Sequence, residues 1–131
     1  MDDNLKEKYL NKVGMLCIAL AKDYRRETLW MLDRIESQEG ESLETKFKRR
    51  EVNNNFEIGA FVIDISNRKY FKICRIDDEG ELHTHAFVSF EDGTVYKPKT
   101  EITANKTLGW DIDECIRVAD WRGYYLNKDP K

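Results

Sequence analysis

FEIGAFVIDISNRKYFKICRIDDEGELHTHAFVSFEDGTVYKP, residues 56–98, is the stretch whose reading decides the fold. It carries a two-residue hydrophobic period and predicts four strands, Phe56–Ile65, Lys69–Ile76, Leu82–Phe90 and Thr94–Lys97. The connections are Ser66-Asn67, Asp77-Asp78-Glu79-Gly80 and Glu91-Asp92-Gly93, residue types whose backbones tolerate the left-handed region that tight hairpins need. In the third strand Leu82, Thr84, Ala86, Val88 and Phe90 share one face and His83, His85, Phe87 and Ser89 the other. The first strand is apolar on both faces at its centre, Ile58, Ala60 and Val62 against Phe61, Ile63 and Ile65. It is therefore expected inside the sheet or covered on both sides.

Upstream, residues 1–40 read as helical, with Asp2, Asp3 or Asn4 available as a cap. Leu5, Tyr9, Val13, Cys17, Leu20 and Tyr24 recur every three to four residues and so share a face. Met15 to Ala21 is apolar nearly all round, which predicts burial on more than one side or pairing with a second copy through the N-terminal helices. Gly14 costs up to about 1 kcal/mol against Ala in a helix, so a close neighbour is expected there. The pattern drifts at Lys22–Arg26 and resumes at Leu29, Trp30, Leu32 and Ile35, which fits one helix or two with a bend at Asp23; Gly40 is the expected stop. Ser42 to Val52, with Lys46, Lys48, Arg49 and Arg50, reads as a solvated helix end or linker, or as a basic arm for an anionic ligand.

Downstream of Pro98 the period is lost, and Lys99 to Gly109 reads as a loop. Asp111 or Asp113 can cap a short helix over Glu114–Asp120, with Gly123 as its end. Tyr124, Tyr125 and Leu126 are expected to pack back on the sheet, and Asn127 to Lys131 to fray.

A chain of 131 residues holds one domain. The predicted class is α+β: an N-terminal helical segment on a small antiparallel meander of about four strands, followed by a short C-terminal helix. With 22 basic and 25 acidic residues the net charge is -3, which gives no global pull toward nucleic acid. Cys17, Cys74 and Cys115 are far apart, each inside an apolar pattern, and fit reduced thiols in a cytoplasmic protein. No apolar run approaches the ~20 residues that span a bilayer, and Met1-Asp2-Asp3-Asn4 is unlike a signal peptide.

Chemistry is sparser. His83 and His85, at i and i+2 on a strand, point the same way; a metal would need two or three further ligands, which only Asp or Glu delivered by the fold can supply, and no metal or cofactor is expected. There is no GxSxG, no Walker A loop and no GxGxxG, so the chain reads as non-enzymatic. The candidate binding residues are Lys97, Lys99 and Lys106 with Trp110, Arg117, Trp121 and Arg122, flanked by His83 and His85. Ammonium and guanidinium groups bind phosphate, and indole faces stack on bases. The bland alternative makes Trp110 and Trp121 core anchors and the lysines surface.

Lys69-Tyr70-Phe71-Lys72-Ile73, His85-Ala86-Phe87-Val88, Asp92-Gly93-Thr94-Val95-Tyr96-Lys97-Pro98 and Ala119-Asp120-Trp121-Arg122-Gly123-Tyr124-Tyr125-Leu126 together resemble a group of small tailed-bacteriophage proteins with an H-x-F-V, V-Y-K-P and A-D-W-x-G-x-Y-L pattern over roughly residues 69–126. Where that group carries Trp-Lys and Val-Arg in its loop, this chain has Glu101-Ile102 and Leu108-Gly109, and Lys106 keeps its place. The resemblance implies a phage protein acting inside the bacterial host. One form is an anti-Thoeris or anti-CBASS-like sponge for a cyclic nucleotide signal; another is an anti-CRISPR-like inhibitor of a host defence protein. A virion or DNA-associated accessory protein is a third.

Overall fold

A computed structural model describes residues 3–54, 60–77 and 79–127. Helix α1 runs unbroken from Asp3 to Glu39, so the drift at Asp23 is no bend. Val13, Leu16 and Leu20 are fully buried on one side of it, joined by Cys17 and Tyr24. Gly40, at φ +81°, ends the helix and donates its N–H to the Glu36 carbonyl at 2.9 Å.

The charged stretch that follows is a helix of its own, α2 (Leu43–Asn54), folded back on α1. Its start is a reciprocal cap: the Thr45 N–H donates to Ser42 Oγ and the Ser42 N–H to Thr45 Oγ1, both at 3.1 Å. Leu32, Thr45 and Val52 are buried in this helical pair. Arg49 reaches Asp33 and Glu36 on α1, at 2.9 and 3.0 Å, so this member of the basic run serves the fold instead of an open arm.

Five strands, β1 (Phe61–Asp64), β2 (Tyr70–Ile76), β3 (Leu82–Ser89), β4 (Thr94–Pro98) and β5 (Ala104–Asp111), form an antiparallel meander in the order β1-β2-β3-β4-β5. Phe61, Ile63, Phe71, Ile73, Ala86, Val88, Val95 and Trp110 line the side that meets α1. The expected interior first strand is corrected: β1 is an edge strand, with Val62 exposed and Ile65 exposed just past its end. The expected part from Phe56 to Gly59 lies outside the described residues. The loop expected over Lys99–Gly109 is corrected too: most of it is β5, an edge strand whose exposed Lys106, Thr107 and Leu108 erase the alternation by which strands are recognised. Only residues 99–103 turn, tied by the Lys99 N–H to the Thr103 carbonyl at 2.8 Å. The turn folds over the outer face, where the Glu101 carbonyl accepts from Thr84 Oγ1 at 2.8 Å.

Between Ile73 and Cys74 the β2–β3 register slips by one residue, so that His85 has no direct partner. This bulge brings His85 beside Phe61 and Tyr125. Past β5, Asp111 caps α3 (Ile112–Val118), its carboxylate accepting the Glu114 N–H at 3.1 Å. The chain ends its described course in a 3-10 turn, Tyr124–Asn127, with Tyr125 and Leu126 buried as expected and Tyr124, expected to pack with them, exposed. The expected fraying of 128–131 falls outside the described residues.

Two glycines behave oppositely. The close neighbour expected at Gly14 is not found among the described residues, where a Cβ there meets nothing within 4 Å. At Gly93, φ is +72° and a Cβ would lie 2.6 Å from the Tyr9 ring. Gly14→Ala is therefore predicted to stabilise the fold by about 0.5–1 kcal/mol, and Gly93→Ala to destabilise it by roughly 2–3 kcal/mol through left-handed strain plus displacement of Tyr9. Urea melts of both variants check the opposed signs.

Candidate functional site: two clefts of rings and cations

The nine candidate residues do not form one site. Lys97 donates to Asn127 Oδ1 at 2.6 Å and, with Trp110, borders a recess of about 220 Å³. Trp110 itself is buried in the core against α1. Lys99 and Lys106 flank a shallow surface around Asn105 and Thr107. Arg117 is paired with Glu114 on the surface of α3.

The other four do converge. His83, His85, Trp121 and Arg122 surround a cleft of about 350 Å³ together with Arg75 and Tyr124. The segment that brings Trp121 here is latched to α1. Asp23 accepts the Trp121 backbone N–H at 3.0 Å, and Glu27 accepts Trp121 Nε1 at 2.8 Å and Arg122 Nε at 3.0 Å. The Arg122 guanidinium, followed by the indole N–H, holds the Glu27 carboxyl below its ordinary range against the opposing effect of burial. Asp120 ties the end of the latch by accepting the Tyr124 and Tyr125 N–H groups at 3.0 and 2.8 Å.

Of the two expected roles of Trp121, stacking platform and packing anchor, the latch favours the anchor. The guanidinium carbons of Arg75 and Arg122 lie 5.3 and 4.6 Å from the indole centroid, and Tyr24 meets the same ring edge-on at 5.0 Å. The ring is already engaged by two cations and an aromatic neighbour, so its surface serves cohesion first.

His83 and His85 share the cleft wall but differ in chemistry. His83 is half exposed and bonds Asp77 Oδ2 through Nε2 at 2.6 Å. His85 sits deep, with Nε2 2.7 Å from the Tyr125 hydroxyl and its ring edge-on to Phe61. Burial pushes the His85 pKa down to about 4, with Arg75 adding to the shift and Asp120 opposing it.

A second cleft, of about 460 Å³, opens on the sheet face away from α1. Tyr70 and Tyr96 form its aromatic wall, their rings perpendicular and 6.0 Å apart, and Tyr70 also meets the buried Phe87 edge-on. Lys106 Nζ stands 5.8 Å from the Tyr70 centroid. Arg68 and Lys69 line the cleft too, with no carboxylate partner among the described residues. Glu91 and Asp92 close one end, and Asp92 is committed to capping the Thr94 N–H at 2.9 Å. Of the sequence candidates only Lys106 belongs to this cleft. Tyr70 and Tyr96 are missed because each lies within a run that reads as a strand, Tyr70 at the start of β2 and Tyr96 in the middle of β4, where an aromatic reads as packing. Their convergence depends on the register Lys72↔Phe87↔Tyr96.

Fold and surface together define an α+β protein whose concave surfaces are built from aromatic rings and cations. The chain belongs to a family of unknown function (DUF7717), which matches residues 1–128. No curated protein and no solved structure matches it.

The His85 environment predicts an acid-sensitive fold. A histidine whose pKa is lower folded than unfolded binds fewer protons in the native state. Its contribution is therefore complete above the unfolded value of 6.5 and is lost as the pH falls from there through about 4. The loss is up to roughly 3 kcal/mol. Urea midpoints between pH 7 and 4 should fall more steeply for the wild type than for His85→Gln; parallel curves would contradict the assignment.

Proposed function

We propose that the chain is a non-catalytic binding protein that captures a nucleotide in the outer-face cleft, acting as a phage-encoded sponge for a cyclic nucleotide signal of host antiviral defence. The observation that carries the reading is the pairing of Tyr70 and Tyr96 with Lys106, Arg68 and Lys69 around one concavity. Rings take a base through their faces, and unpaired cations take phosphate. The phage origin and the host target rest on the resemblance over residues 69–126, which includes the strand segments that carry Tyr70 and Tyr96.

Support for a non-catalytic role comes from the nucleophiles the chain does hold. All three cysteines are buried, and burial pushes Cys17 and Cys115 up to about 12, far from thiolate chemistry at neutral pH. His85 is neutral there and engaged with Tyr125.

A second reading, direct inhibition of a host defence protein, draws on Trp30, Met31 and Ile35 of α1 and Phe47 of α2, all exposed. Met15 and Ile18 stand out of the same helix at 54 and 58 % exposure, which supports a homodimer through the N-terminal helices. No helix among the described residues is long and apolar enough to cross a membrane.

A thermal-shift screen of cyclic oligonucleotides and cyclic ADP-ribose isomers tests the first reading. Ligand at 100 times its dissociation constant should add about 2.7 kcal/mol of stability. Tyr70→Ala should weaken that binding by roughly 5- to 150-fold, the loss of one stacked base, whereas Arg117→Ala should leave it intact. A flat screen alongside stoichiometric capture of a host defence protein would favour the second reading. Light scattering at micromolar concentration should return a dimer, and a monomer would remove the helix-mediated pairing.

A further inference from the structure

Among the described residues, Asp77, Glu81 and His83 form a group whose potential ligand atoms all lie within 4.8 Å of one another. The three belong to one hairpin. Asp77 directly follows β2 and His83 is the second residue of β3, so the turn that reverses the chain also gathers two carboxylates beside an imidazole. From these positions we propose that the β2–β3 hairpin is a binding site for a divalent transition cation of the zinc class, held by Asp77, Glu81 and His83 at the mouth of the Trp121 cleft.

The donor set selects the ion. An imidazole nitrogen with two carboxylate oxygens suits zinc and its first-row neighbours, whereas magnesium and calcium take oxygen donors. Three protein ligands leave a fourth tetrahedral position open. Ligand atoms about 2.1 Å from a tetrahedral zinc are roughly 3.4 Å apart. His83 Nε2 and Asp77 Oδ2, now 2.6 Å apart, must separate slightly, and the exposed Glu81 side chain must close in.

Part of the site is already aimed. Asp77 Oδ1 accepts the Glu79 and Glu81 N–H groups, each at 2.9 Å, which leaves Oδ2 to face His83. Such outer contacts fix ligand orientation in metal sites generally. His83 also walls the 350 Å³ cleft that holds Arg75, Arg122 and Tyr124, so the open coordination position would give onto a surface rich in cations and hydroxyl. An anion entering there would meet the metal on one side and Arg75 on the other. The competing account makes the Asp77–His83 contact a plain hairpin staple, and the two differ in what zinc does.

The test uses the full chain without a histidine tag, stripped with chelator and titrated with zinc chloride at pH 7.5 by calorimetry, with thermal shift in parallel. The buried thiols are not expected to compete in the folded protein. The proposal predicts one saturable site with micromolar or tighter affinity, weakened at least tenfold by Glu81→Gln and by His83→Gln, and unchanged by His85→Gln. Glu81→Gln lies outside the Asp77–His83 bond, so it remains informative if the histidine variant folds poorly. No saturable binding, or binding that both variants leave intact, overturns the proposal in favour of the staple with an adventitious surface ion only.

Discussion

Everything else in the molecule is placed by the contact of one helix with one side of a five-stranded sheet. Val13, Leu16 and Leu20 of α1 lose all solvent contact against a layer that includes Phe71, Ile73, Val88 and Val95. Burial of each such side chain contributes about 1.5–3 kcal/mol. A single helix covers only part of a sheet this wide, and the chain completes the layer from its other end. The segment after β5 adds Ile112, Cys115, Tyr125 and Leu126 to the same core. Asp23 and Glu27 of α1 then hold Trp121 and Arg122 in place, so the two ends of the sequence are locked along one helix.

That division of labour separates the two clefts. The Trp121 cleft lies at the seam between sheet and latch, and most of its aromatic and guanidinium groups are spent on cohesion. The Tyr70 cleft lies on the opposite face, where none of the described helices packs. Phe87 and Cys74 are buried there beneath the 99–103 turn and neighbouring side chains, yet Tyr70, Tyr96 and Lys106 remain partly open. Cations without carboxylate partners keep their affinity for an incoming anion, whereas Arg122 would first have to leave Glu27.

The fold class was legible because its signals are local. Turn residues marked three hairpins, and three-to-four spacing marked the α1 core face. Signals that depend on tertiary placement were not legible. The 104–111 strand is half solvated at a sheet edge, so its side chains carry no period, and α2 is obscured because it is mostly charged and its Arg49 finds Asp33 and Glu36 only across a helical hairpin. The site was partly legible for the same reason. Trp121, Arg122, His83 and His85 do meet, whereas Lys97, Arg117 and Trp110, alike in chemistry and near them in sequence, are set apart by the fold. Arg75, Tyr70 and Tyr96 needed the register, and the carboxylates beside His83 needed the turn.

The central claim is capture without transformation, and phosphorus NMR tests both halves at once. Cyclic oligonucleotides and cyclic ADP-ribose isomers, incubated with a stoichiometric amount of protein for hours at 25 °C, should show a ligand whose phosphorus resonances shift or broaden on binding and return unaltered after the protein is denatured. New resonances from opened or hydrolysed ligand would contradict the account by showing turnover, and sharp, unmoved resonances throughout would contradict it by showing no capture.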